Sequence, residues 1–229
     1  MSEPERRRGR AHDAEGAREA ILNAAEKVFA EHGFDGARVD AIAEAAGYNK
    51  SLIFHYYDDK LGLYAAVLKR IDQRGSAFQT RVFASLLADE SLTSDARKFR
   101  TMIETAVGFL FDFLIENPSI LRMLTWEAAE GWQTFRRIAS QFSTDDVKLL
   151  SQLLDKAQKA GIIRPGMDPY RMFLIAYATC LGYLIFSPAL EMALEAEELS
   201  SPDALARTRA MIVDFVVRGM MVDPVEAKL

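Results

Sequence analysis

The stretch Ala37-Arg38-Val39-Asp40-Ala41-Ile42-Ala43-Glu44-Ala45-Ala46-Gly47-Tyr48-Asn49-Lys50-Ser51-Leu52-Ile53-Phe54-His55-Tyr56-Tyr57-Asp58-Asp59-Lys60 decides how the chain is read. Val39, Ile42, Ala43 and Ala46 fall at the three- and four-residue spacing of a short amphipathic helix. Gly47 can take the positive φ that ends such a helix, and Asn49 can cap a second one carrying Ile53, Tyr56 and Tyr57. The pattern predicts helix, tight turn, helix. Asp58 and Asp59 can cap a longer helix from Lys60, in which Tyr64, Val67, Leu68, Ile71, Gly75 and Phe78 repeat at helical spacing.

Upstream, Ile21, Ala24, Ala25 and Val28 share one face of a helix predicted from Ala17 to Glu31, which His32-Gly33 ends through a residue free to adopt positive φ. Downstream of a polar break at Asp89 to Asp95, helices are predicted at 96–116, 118–139 with an interruption near Gly131, 144–160, 169–187 and 202–221. Pro118, Pro169 and Pro202 stand where a first helical turn tolerates proline. No run of alternating β-branched residues is bounded by hairpin turns, so the fold class is all-α. The predicted organisation is a flexible basic arm (1–16), a three-helix unit containing the helix-turn-helix (17–60), a connector helix (60–83), a larger helical domain (84–222) and a tail (223–229).

The chain has 229 residues, half of them hydrophobic and 27% charged, which is the balance of a globular protein rather than a disordered one. Its net charge of −5 does not mark a nucleic-acid binder, and residues 1–75 are close to neutral, so any DNA contact must rest on local charge. The single Cys180 excludes an intrachain disulfide and a Cys-rich zinc site, and fits a reducing cytoplasm. The N-terminal run Glu-Pro-Glu-Arg-Arg-Arg-Gly-Arg has no apolar segment behind it, as expected of a chain that stays in the cytoplasm. Met172 to Leu190 carries no ionisable group except tyrosine and approaches the length of a membrane span. It contains Tyr177, Thr179, Gly182, Tyr183, Ser187 and Pro188, and is read instead as a helix buried on several sides, with no membrane partner.

No catalytic constellation is present: no G-x-S-x-G, no P-loop, no G-x-G-x-x-G after a strand and no H-E-x-x-H. Ser51 and His55 are one helical turn apart, a spacing more often incidental than catalytic. Neither a cofactor nor a metal is implied, and the chain is not read as an enzyme.

From Gly33-Phe34-Asp35-Gly36 through Lys60 the chain resembles the TetR family of regulators, over roughly residues 17–70. The resemblance implies a ligand-responsive transcription regulator, most commonly a repressor released from double-stranded operator DNA by a small-molecule effector. Lys50, Ser51, Leu52, Phe54 and His55 would face the major groove or its walls, with Asn49 at the head of their helix. Tyr48 and Tyr56 would be phosphate-side aromatics, and Lys60 the phosphate anchor. Three departures matter. Ala37 and Arg38 stand where the family places threonine or serine, so Arg38 can replace a phosphate contact but not the cap. Phe54 replaces a tyrosine, and Tyr57 replaces a phenylalanine, so the Tyr57 hydroxyl needs a partner if buried. The arginines at 6, 7, 8 and 10 could enter a neighbouring minor groove.

In the larger domain the resemblance implies an effector site and a dimer interface. Helices 169–187 and 202–221 are the expected homodimer contacts, the latter through Leu205, Met211, Ile212, Phe215, Val216 and Gly219. Phe109, Phe113, Met123, Trp126, Glu127 and Tyr177 are candidate effector-lining residues. Trp132, Phe135 and Glu130 are further candidates, and a mostly apolar effector is expected. The alternative is a helical interaction protein without specific DNA binding, prompted by the missing cap hydroxyl at 38 and the acidic total.

Overall fold

The computed structural model describes the backbone of residues 3–87, 89–194 and 198–222, and the side chains of 14–76, 89–145, 147–168, 171–193 and 198–222. Among these residues the chain forms ten α-helices and no strand. They are α1 (Glu3–Gly36), α2 (Val39–Ala46), α3 (Lys50–Tyr57), α4 (Lys60–Leu87), α5 (Ala96–Glu116), α6 (Pro118–Ala129), α7 (Gln133–Ile138), α8 (Asp145–Lys159), α9 (Pro169–Leu194) and α10 (Pro202–Met220). The side chains of the arginines at 6, 7, 8 and 10 and the 223–229 tail lie outside the described residues. The α1 backbone is helical from Glu3 rather than from Ala17.

The helix ends follow local chemistry. Gly33 breaks α1 with φ 67° and ψ −177°, at the position the sequence assigns to the helix end. Gly47 ends α2 in the left-handed region, where its N–H bonds to the Glu44 carbonyl at 3.1 Å and that of Tyr48 to the Ala43 carbonyl at 3.0 Å. This double closure satisfies carbonyls that the last turn leaves without partners. The side chains of Asn49, Asp95 and Ser201 cap α3, α5 and α10. Arg38 precedes α2 in an extended conformation and supplies no cap, as its side chain requires. The helix α9 runs past residue 187, its expected end, through Pro188 to Leu194. A proline forfeits one backbone bond, yet its fixed φ is helical.

Two compact units result: residues 1–75 with 118–142, and residues 76–117 with 143–229. The first has its core where α1 to α4 converge, with Ile21, Phe29, Ile42, Ile53, Leu63 and Val67 fully buried. Burial of each such side chain contributes about 1.5–3 kcal/mol. Tyr64 lies edge-on to Phe29 and Phe34, with centroids 4.9 and 5.3 Å away. The helix α6 belongs to this unit, whereas its sequence position assigned it to the larger domain. The reason is packing: the Trp126 indole lies over Gly33, and its Nε1–H donates to the Ala30 carbonyl at 3.3 Å. A β-carbon at Gly33 would meet the indole at 3.0 Å, so glycine there serves both the kink and the close approach.

In the second unit Phe99, Met102, Val107, Phe111 and Leu114 form the buried stripe of α5, and Ile212, Val216 and Val217 that of α10. The guanidinium of Arg209 on α10 lies over Gly108 on α5 and donates through Nε to both carboxylate oxygens of Asp112, at 2.8 and 2.9 Å. Among the described residues, one antiparallel bridge joins Ile163 to Met221.

Candidate nucleic-acid interface

The turn between α2 and α3 and the junction between α3 and α4 position every side chain of this face. Asn49 Oδ1 accepts from the Leu52 N–H at 2.8 Å and starts α3. Ile53 alone on α3 is fully buried, anchoring that helix to α2. With Ile53 inward, Lys50, Ser51, Phe54 and His55 are exposed and Leu52 and Tyr56 half-buried. Tyr48, Asn49 and Arg38 are exposed alongside. The face thus presents a cation, a hydroxyl, an imidazole and two apolar groups, the chemical types that read base edges.

Asp59 accepts from the Gly62 N–H at 2.7 Å and caps α4, and the Asp59 N–H bonds to the Tyr57 carbonyl at 2.7 Å. The first turn of α4 is thereby folded hard against the end of α3. A β-carbon at Gly62 would overlap the Tyr57 carbonyl oxygen. This junction sets Lys60, whose ammonium donates to the Asp35 carbonyl at 3.2 Å and sits 4.7 Å from the Phe34 ring centroid. Burial pulls the Lys60 pKa below its ordinary value, and the Asp35 and Glu130 carboxylates pull it back up. An ammonium has three N–H donors, so protons remain for a phosphate.

The Tyr57 hydroxyl finds the partner it needs in the Arg18 carbonyl, at 3.3 Å, and burial raises its pKa. Arg18 itself was not legible as a site residue. Its guanidinium stacks 4.7 Å from the Tyr56 centroid, and no local spacing links residue 18 to residue 56. Asp40 also went unread: its Oδ2 accepts from Lys50 Nζ at 3.0 Å. Two arginines tie α4 to α1: Arg70 donates to Asn23, Leu22 and Glu26, and Arg74 to Glu26.

The expected effector-lining residues divide between the two units. Met123, Trp126 and Glu127 belong to the first. Glu127 is buried and already satisfied, accepting from the Tyr64 hydroxyl at 2.8 Å and the Phe135 N–H at 3.1 Å. Trp126 is committed to Gly33 and Ala30. Both make contacts within the first unit. Phe109, Phe113 and Tyr177 belong to the second unit. Phe109 and Phe113 border a cleft of about 400 Å³, which also takes in Glu104, Asp112, Glu116 and Arg209 and is more charged than expected. Tyr177 stands outside that lining, stacked on Phe173 with centroids 6.3 Å apart.

A glycine-turned helix pair with an exposed polar face on its second helix, followed by a lysine at the head of the next, defines a helix-turn-helix DNA-binding protein. Comparison with known proteins carries this further. Residues 21–67 match the family described as bacterial regulatory proteins, tetR family, and residues 100–216 match the tetracyclin repressor-like C-terminal domain. The chain is similar to the HTH-type transcriptional repressor NicS of Pseudomonas putida, 26% identical over 92% of this chain and 95% of that protein. It is 29% identical to the HTH-type transcriptional regulator RutR of Escherichia coli over 76% of each. Its fold matches the solved structure of SCO4942 from Streptomyces coelicolor, with a TM-score of 0.60 and 27% identity over 89% of this chain and 98% of that one. The chain belongs to the TetR family: it is a ligand-responsive, DNA-binding transcription regulator and not an enzyme. Regulators of this family bind operator DNA as homodimers and respond to small-molecule effectors.

Proposed function

We propose that the protein is a cytoplasmic repressor that reads a twofold-symmetric operator through α3 and leaves it when a small molecule binds the second unit. The observation that carries the reading is the outward face of α3, set by Ile53 inside and Lys50, Ser51, Phe54 and His55 outside. Tyr48, Tyr56, Arg38 and Lys60 flank it as phosphate contacts, with Arg18 added by its place over Tyr56. Repression is supported by the likeness to NicS, itself a repressor. The charged border of the cleft on α5 and α10 favours an effector that carries a polar group beside its apolar body.

Two-fold operators need two copies of α3, and the second unit offers a surface for a second chain. Phe173, Leu174, Phe186 and Leu190 on α9 and Met211 and Phe215 on α10 are exposed, Phe186 at 63% and Met211 at 70%. The helix α9 is long and apolar enough to cross a membrane by length and composition. The expected burial on several sides is not achieved within one chain, and pairing with a symmetry mate would supply it. Phe186→Glu combined with Phe215→Glu is expected to convert a dimer to a monomer in sedimentation velocity with the helical content unchanged. A double variant that stays dimeric would move the interface elsewhere.

The functional test is binding of full-length protein to intergenic DNA beside its own gene and to duplexes selected from a random pool, with scrambled duplex as competitor. Lys60→Ala is expected to weaken operator and scrambled DNA alike by about tenfold, and to lower the salt slope by about one. If wild type prefers no duplex and Lys60→Ala changes nothing, the chain is a helical interaction protein instead.

A further inference from the structure

The cation that heads the reading helix is paired with a carboxylate. Lys50 Nζ lies 3.0 Å from Asp40 Oδ2 and 5.9 Å from the Phe54 centroid, with Lys50 and Asp40 side chains 45% and 73% exposed. A pair this exposed contributes little to folding, so stability gives it no role. Its place does: Asp40 is in the first turn of α2 and Lys50 is the first residue of α3, the helix proposed above to read DNA.

We propose that Asp40 is a specificity-determining positioning residue that acts through Lys50. This rests on the DNA-binding reading of that face. A lysine is a compact charge on a flexible stem, and an unrestrained one at a helix start would settle on any backbone phosphate within reach. Phosphate binding carries no sequence information. Tied to Asp40, the ammonium spends one of its N–H protons on the carboxylate and keeps two. A guanine edge offers two acceptors, O6 and N7, and so can be met without breaking the tie. Taking a phosphate means carrying Asp40 toward another anion or abandoning it. The carboxylate therefore penalises the contact common to all sequences and leaves the base contact nearly untouched.

The test uses full-length protein on a duplex selected from a random pool by the wild type, and on a scrambled duplex, over a series of salt concentrations. Asp40→Asn is expected to bind the scrambled duplex about tenfold more tightly, because the released Lys50 gains a phosphate, and to steepen its salt slope by about 0.9. The selected duplex should gain little, so the preference falls about tenfold. Asp40→Glu, which restores the carboxylate on a longer stem, should restore most of the preference. In a Lys50→Gln background, Asp40→Asn should leave the preference within about twofold, since there is no cation left to position. Equal tightening on both duplexes, or an unchanged effect after Lys50 is removed, would overturn the inference while leaving the regulator reading intact. A wild type that selects no duplex removes that reading and this inference with it. Melting curves separate folding from binding, and Asp40→Glu keeps the helix-terminal charge if Asp40→Asn melts early.

Discussion

Gly62→Ala is expected to destabilise the protein by about 2–3 kcal/mol, lowering the melting temperature by on the order of 5–10 °C, and to abolish operator binding. The sign is the informative part. In the interior of a helix, glycine to alanine ordinarily stabilises by about 0.5–1 kcal/mol, because it removes backbone freedom from the unfolded chain. At Gly62 the added carbon would overlap the carbonyl oxygen of Tyr57. That atom is backbone and itself accepts from the Asp59 N–H, so it cannot swing aside as a side-chain terminus could. Relief requires moving the end of α3 away from α4, and with it the geometry that relates Lys60 to the reading face. Gly16→Ala provides the control, since a β-carbon there meets nothing within 4 Å. It should leave the protein as stable or slightly more so. If Gly62→Ala melted within about 1 °C of the parent and bound DNA normally, the junction would be softer than its contacts imply.

The second large effect is expected at Glu127. Its carboxylate is 3% exposed and holds two donors, the Tyr64 hydroxyl from α4 and the Phe135 N–H from α7. Burial and the bond to Glu127 push the Tyr64 pKa far above its usual value. Glu127→Ala strands both donors in the interior, at about 1–3 kcal/mol each, and leaves a void as well. A total loss of about 3–4 kcal/mol is expected. Glu127→Gln retains an acceptor oxygen and should cost about 1 kcal/mol. Tyr64→Phe removes one donor cleanly. The double variant Tyr64→Phe with Glu127→Ala should therefore cost clearly less than the sum of the two singles. Trp126 and Trp132 flank Glu127 and are the only tryptophans, so their emission reports this region directly. A red shift of the native emission in Glu127→Ala would show α6 loosening from α1. An additive double variant with unchanged emission would mean that Glu127 does not hold the two donors together.

These two sites differ in how far they could be read from the chain. Around Gly62 the sequence already places a cap and a helix start, because each of these depends on residues within four positions of one another; a phosphate role for Lys60 is what the family resemblance implies. The steric reason for glycine at 62 depends on where α3 ends relative to α4, which no spacing rule states. From the sequence Glu127 is a candidate polar selector, because a carboxylate among aromatics near Trp126 fits a ligand site as well as a buried partner. The phenol that claims it lies 63 positions earlier.

What the sequence determined by itself is what its local rules encode. The apolar periods set the helix faces, Gly33 and Gly47 set where α1 breaks and α2 stops, and Asn49 and Asp59 set where α3 and α4 begin; the function was implied by the family resemblance carried from Gly33 to Lys60. Tertiary structure alone decided the pairings made across the fold. Asp40 claims Lys50 across the turn, Arg18 stacks on Tyr56, and Arg209 reaches over Gly108 to Asp112, 97 positions away. It also decided that α6 joins the first unit through Trp126 on Gly33, and that the apolar side of α9 faces outward from its own chain. The physical reason is range: caps and periodicity act within about one helical turn, whereas ion pairs, stacking and burial depend on which helices meet.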